Sequence, residues 1–125
     1  MNTNKKILIV DDHERLRMLV LATFKGNDDY HLLEASAGEE AIKIAVSEKP
    51  DLILMDLMMP GKYDGLEATR ILKDNGDTKD IPIVFLTAKG QESDIDQGFQ
   101  AGANDYIVKP FSPTELIQKV EKLLL

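Results

Sequence analysis

Five short apolar runs alternate with five segments whose apolar residues recur every three or four positions, and this alternation limits the fold more tightly than any other feature. The first run, Ile7-Leu8-Ile9-Val10, has no polar residue on either face, so the strand it forms needs cover above and below. Parallel strands are joined by long crossovers, and the helical segments are long enough to provide them. The chain is therefore expected to be an α/β domain with a parallel sheet between helices.

Strands are expected at 5–10, 30–34, 51–55, 81–86 and 105–108, with Pro82 tolerable only near a strand start, where no ladder donor is needed. The first helix runs from 13 to about 25 and carries Leu16, Leu19, Val20, Thr23 and Phe24. The second carries Ala41, Ile42, Ala45 and Val46 and ends before Pro50; the third contains Leu66, Ala68, Ile71 and Leu72. The last, after Pro110 and Pro113, carries Leu116, Ile117, Val120, Leu123 and Leu124. Between them, 91–101 has only Ile95 and Phe99 as large apolar residues, so this fourth helix should be the least firmly docked.

Composition narrows the function. A chain of 125 residues, 43% hydrophobic and 30% charged, suits one compact globular domain. Its first apolar run is too short for a signal segment or membrane span, so a cytoplasmic location and no membrane partner are expected. A net charge of −7 without a basic stripe argues against direct contact with nucleic acid. The absence of cysteine removes thiol chemistry and leaves carboxylates and two histidines as ligands, which favours hard cations.

The residues at the carboxyl ends of the expected strands are Asp11-Asp12, Asp56, Thr87 and Lys109. In an open α/β sheet these ends share one edge, where ligands bind at the point of winding reversal. Two carboxylates about 4 Å apart repel by roughly 4 kcal/mol at an effective dielectric of ~20, so such a cluster calls for a cation. Mg²⁺, which prefers oxygen ligands and phosphate, fits, and Lys109 supplies a second positive charge. A carboxylate in this setting can attack phosphorus to form an aspartyl phosphate, and Asp56 is the strongest candidate nucleophile.

Ile9-Val10-Asp11-Asp12, Met55-Asp56-Leu57-Met58-Met59-Pro60-Gly61, Leu86-Thr87-Ala88 and Lys109-Pro110-Phe111 together resemble the bacterial two-component receiver domain. Each string alone is weak; four in order at strand ends are specific. The resemblance covers nearly the whole chain, 1–125, as one receiver domain. It implies a (βα)5 doubly wound sheet with the flavodoxin-like strand order 2-1-3-4-5. It also implies that Asp12 and Asp56 bind the metal directly, Asp11 through water and Met58 through its backbone carbonyl. Asp56 would be the phosphoacceptor, Thr87 and Lys109 the phosphoryl-binding residues, Tyr106 the aromatic that turns inward behind Thr87, and Lys109–Pro110 a cis peptide. The implied partners are a sensor histidine kinase and a downstream effector protein or domain, with homodimerisation on phosphorylation. Such a domain catalyses only its own phosphorylation and dephosphorylation. The moving surface would be the fourth helix, fifth strand and fifth helix.

The chain departs from the family at three places. Lys62-Tyr63 inserts one residue before Asp64-Gly65. Met58 and Lys89, which flank the path of a hydrolytic water, suggest slow self-dephosphorylation, because apolar Met58 cannot orient that water. The 109–116 stretch resembles receivers that head winged-helix transcription factors, yet Ile95 stands where those typically have arginine. Three other readings compete. A haloacid-dehalogenase-type phosphatase needs a second aspartate where Met58 stands. A flavodoxin-like cofactor binder needs a phosphate-cradling loop where Asp11-Asp12-His13-Glu14 stands. A pseudo-receiver docking module would not need the full acidic set. Singly, Asp11-Asp12 reads as a helix cap, Lys109 as a surface lysine and Tyr106 as a half-buried strand aromatic. Met55, Met58 and Met59 read as core or loop filler, and His13 and His31 as surface residues without partner spacing.

Overall fold

The apolar runs lie side by side as parallel strands in the order β2-β1-β3-β4-β5: β1 Lys5–Val10, β2 Tyr30–Ala35, β3 Leu52–Asp56, β4 Ile83–Ala88 and β5 Asp105–Lys109. Helices α1 Glu14–Phe24, α2 Gly38–Glu48, α3 Gly65–Lys73, α4 Ser93–Ala101 and α5 Pro113–Leu124 follow the strands in turn. The computed structural model describes residues 4–88 and 93–124. This is the expected doubly wound α/β sheet.

Side-chain alternation along the strands feeds two cores. Leu8, Val10, Ile53, Met55, Ile83 and Phe85 meet Ala41 and Ala45 of α2 and Ala68 and Leu72 of α3. Their neighbours Ile7, Ile9, Leu52, Leu54, Val84 and Leu86 meet Val20 and Phe24 of α1 and Leu116 and Val120 of α5. Burial on both faces explains why the central strands carry no polar alternation. Full burial of each such side chain contributes about 1.5–3 kcal/mol. On α1 the stripe is Leu16, Val20 and Phe24, while Leu19 faces solvent.

Apart from β1, the strand ends differ from the sequence reading by one or two residues. β4 begins at Ile83 because Ile81 is held in a turn, its N–H donating to the Thr78 carbonyl, and Pro82 has no N–H to give. Thr87 therefore lies within β4. β3 and β5 each run one residue further, so Asp56 and Lys109 are their last paired residues.

The loop between β3 and α3 closes through two fixed points. Asp64 caps α3, its Oδ1 accepting from the Glu67 N–H at 2.9 Å. Tyr63, part of the insertion, packs against the α2/α3 core, and its backbone abuts Gly38 so closely that a β-carbon there would strike the Tyr63 carbonyl. The Lys109–Pro110 peptide is cis.

Candidate functional site: an acidic pocket at the carboxyl edge

β1 is flanked by β2 on one side and β3 on the other, so the winding reverses beside it, and the crevice beyond its end is where the sheet can take a ligand. Asp11 follows β1 directly and is fully buried. Its N–H donates to the Ala35 carbonyl at 3.1 Å, and its Oδ1 accepts the His13 N–H at 2.8 Å. Asp56, only 5% exposed, reaches the same crevice from β3. From β5, Lys109 Nζ donates to Asp11 Oδ2 at 3.1 Å and to Asp56 Oδ1 at 3.2 Å. One cation thus bridges two carboxylates delivered by different strands.

That single charge does not balance the site. Burial is the main cause that pushes the Asp56 carboxyl up to about 6 from its ordinary 3.8, and Asp11 and Asp12 add to it, while Lys109 pulls the other way. Asp12 Oδ1 is buried and accepts no hydrogen bond, although His13 Nδ1 lies 3.3 Å away. A buried carboxylate oxygen without a donor is costly. Asp11, Asp12, His13 and Asp56 each offer a ligand atom, all within 4.8 Å of one another. Three carboxylates, one with an orphaned oxygen, are a donor set suited to a hard divalent cation.

The bland reading of Asp11-Asp12 holds in part: Asp11 accepts a local backbone bond, but the residue at the α1 N-cap is His13, which makes no side-chain cap. His13 itself corrects the sequence reading. It is exposed as expected, at 70% of its side chain, yet its Nδ1 approaches Asp11 Oδ1 to 3.1 Å, so it does have acidic partners. Adjacency to Asp11-Asp12 was the signal available for this.

The other candidates lie around the pocket. Thr87 is buried, its hydroxyl donating to the Ala88 carbonyl at a long 3.4 Å. Behind it a narrow cleft is lined by Leu57, Phe85, Ile95, Phe99 and Tyr106. Tyr106 packs edge-on against Phe99, with ring centroids 6.1 Å apart, and Lys119 Nζ lies 5.5 Å from its ring centre while pairing with Asp105 at 3.0 Å. Met58 is 53% exposed, unlike buried Met55 and Met59, so it is not core filler. Lys89 lies outside the described residues. Sequence reasoning missed Arg17, whose guanidinium reaches the Asp11 backbone and Glu34; residues 17 apart in sequence give no spacing signal.

Fold and pocket together define an α/β domain with an acidic, lysine-bridged crevice at the carboxyl edge of its sheet. Residues 7–121 match the family model described as the response regulator receiver domain, and the chain belongs to that family. It is 49% identical over 119 residues to the transcriptional regulatory protein ResD of Bacillus subtilis, covering 95% of this chain and 48% of that protein. The chain spans about half the length of the curated relatives it matches. A putative response regulator from Chloroflexus aurantiacus superposes with a TM-score of 0.90 at 36% identity, covering 97% of this chain and 98% of that one. The receiver domain of the sensor histidine kinase PA1611 from Pseudomonas aeruginosa, with a magnesium ion coordinated in its active-site cleft, superposes at 0.87 and 30% identity, covering 97% and 98%. Among the described residues, no helix is long and apolar enough to cross a membrane.

Proposed function

We propose that this receiver accepts a phosphoryl group on Asp56 and uses it to switch the surface formed by α4, β5 and α5. The observation that carries the reading is the buried Asp56 carboxylate, paired with Lys109 and clustered with Asp11 and Asp12 at the sheet's carboxyl edge. Above pH 7 a group titrating at about 6 is mostly ionised, so Asp56 keeps a nucleophilic oxygen. That oxygen forms a bond to phosphorus as the bond to the donor breaks, the donor being the phosphohistidine of a sensor kinase or a small phosphodonor. Lys109 Nζ, already beside Asp56, pairs with a phosphoryl oxygen.

Mg²⁺ is the cation proposed for the acidic pocket, and the Pseudomonas receiver's magnesium supports this. Asp12 and Asp56 would hold it directly, Asp11 through water, and the Met58 carbonyl as a further ligand. When bound, it would neutralise charge on the phosphoryl oxygens.

Thr87 and Lys109 read the modification. A hydrogen bond to a charged group contributes about 1.5–3 kcal/mol; Thr87 gains one outright while Lys109 exchanges its carboxylate bonds for one to the phosphoryl group, so ~3–6 kcal/mol is the upper bound for the pair. Reversing a 1:99 population takes about 5.5 kcal/mol, which the pair can reach. Tyr106 follows Thr87 into the cleft behind it, and the altered α4/β5/α5 face engages an effector protein or domain, or a second copy. The chain acts catalytically on itself alone.

The test is intact mass after incubation with acetyl phosphate and Mg²⁺. The expected result is a gain of one phosphoryl group that needs Mg²⁺ and vanishes in Asp56→Asn. No gain, or an undiminished gain in the variant, sinks the reading.

A further inference from the structure

We infer that Arg17 is a positioning residue for the acidic pocket, acting through the Asp11–Asp12 peptide, and that Glu34 holds it to this task. The inference rests on the Mg²⁺-dependent reading above.

At the end of β1 the chain leaves the ladder. Val10 is the last residue in register with β2, opposite Ala35, and the Asp11 N–H makes one more bond to the Ala35 carbonyl. The Asp11 carbonyl, beyond the register, needs a donor from elsewhere, because a buried backbone acceptor is costly when unpaired. Arg17 provides it from the second turn of α1: Nη1 donates to Asp11 O at 2.7 Å. Its Nε donates to Glu34 Oε1 at 3.1 Å, and the side chain is only 16% exposed. The planar guanidinium is thus fixed at two points on two elements, as its fork geometry allows.

The consequence falls on Asp12. Its Oδ1 is buried and accepts no hydrogen bond, and the one group beside it, His13 Nδ1 at 3.3 Å, belongs to an exposed side chain that holds it weakly. The peptide joining Asp11 to Asp12 sets the direction in which the Asp12 side chain leaves the backbone, and Arg17 fixes the plane of that peptide. Glu34 has a second effect. By pairing with Arg17 it neutralises a cation that would otherwise be free to swing onto the adjacent carboxylates and compete with a divalent ion.

The test measures Mg²⁺ binding to the unphosphorylated chain by titration calorimetry, with thermal unfolding in chelator as a control for structure. Arg17→Met is expected to weaken Mg²⁺ binding about tenfold, in line with other supporting residues around metal sites. Arg17→Lys, which retains a donor, should recover part of the loss, and Glu34→Gln should weaken binding several-fold. Val20→Ala, a buried change on the same helix, should lower the unfolding temperature and leave Mg²⁺ binding unchanged. Glu34→Gln, on an exposed position, keeps the test open if Arg17→Met does not fold. The inference is overturned if Arg17→Met and Glu34→Gln both bind Mg²⁺ within twofold of the parent, or if Val20→Ala weakens binding equally. If the parent chain binds no Mg²⁺ at all, the underlying functional reading falls instead.

Discussion

Gly65, the first residue of α3, lies directly against the main chain of Asp56: a β-carbon at position 65 would collide with the Asp56 carbonyl oxygen and crowd Leu57 Cα. The Gly65 N–H also donates to the Leu57 carbonyl at 3.1 Å. The pocket's central carboxylate is therefore backed by a helix start that admits no side chain. Gly65→Ala should cost about 1–3 kcal/mol, as overpacking of backbone does, and should displace Asp56 enough to slow phosphorylation. Gly76→Ala, at a position with open space around it, should shift stability by no more than about 0.5 kcal/mol. Urea unfolding of the two variants decides; equal effects would remove the claim.

Asp56 should set a pH dependence in metal-free protein. Its folded-state pKa of about 6 lies above the ordinary 3.8, so between these values the folded chain holds a proton that the unfolded chain has released. Stability from this group is full below about pH 4 and is lost as pH rises through 6. Asp56→Asn removes the loss and should stabilise the chelator-treated protein at pH 7.5 by about 1–3 kcal/mol, with no such gain at pH 4. A gain that is the same at both pH values would contradict this origin.

Lys109 should affect metal binding and chemistry in opposite directions. Its Nζ occupies the space between Asp11 and Asp56, where it repels a second cation. Lys109→Met should tighten Mg²⁺ binding several-fold in calorimetry while slowing phosphorylation by acetyl phosphate about 100-fold, since a group aimed at developing charge is lost. Weaker Mg²⁺ binding in this variant would mean that Lys109 orders the carboxylates more than it competes for them.

In the helix expected to dock least firmly, Gly98 marks a tight point of contact. A β-carbon at Gly98 would come within 2.6 Å of the Phe85 ring, which lines the cleft behind Thr87. Gly98→Ala gains about 1 kcal/mol of helix propensity but forces the ring or the helix to move. Amide exchange in α4 should accelerate relative to the parent chain, with exchange in β1 and β3 unchanged. Slower exchange in α4 would show that the ring yields without displacing the helix.

Much of this arrangement was legible in the sequence because the information was local. Unbroken apolar runs at β1, β3 and β4 announced strands buried on both faces, and the residues just past them, Asp11-Asp12 and Asp56, had to share an edge. What escaped depended on contacts between distant segments or on hydrogen-bond availability. Pro82 and the Ile81–Thr78 turn delay β4 by two residues, a choice made by which N–H groups are free to join a ladder. The pairing of Arg17 with Glu34 exists only once α1 packs beside β2. The exposure of Met58 follows from the turn of the loop after β3, which an apolar letter alone does not indicate.

Met58 should govern the lifetime of the phosphorylated state. It stands two residues after Asp56, is 53% exposed, and presents a thioether, which is at best a weak acceptor, toward solvent near the pocket. A water attacking the phosphorylated carboxylate gains no orientation from such a group. The phosphorylated chain should therefore lose its phosphoryl group over minutes to hours. Met58→Asn supplies an amide that can hold the water; one hydrogen bond contributes about 1–1.5 kcal/mol, which corresponds to roughly tenfold in rate. Following the phosphorylated species by intact mass after removal of the donor gives both lifetimes directly. A parent half-life of seconds, or an unchanged rate in Met58→Asn, would show that the water is oriented by other groups and that Met58 does not limit hydrolysis.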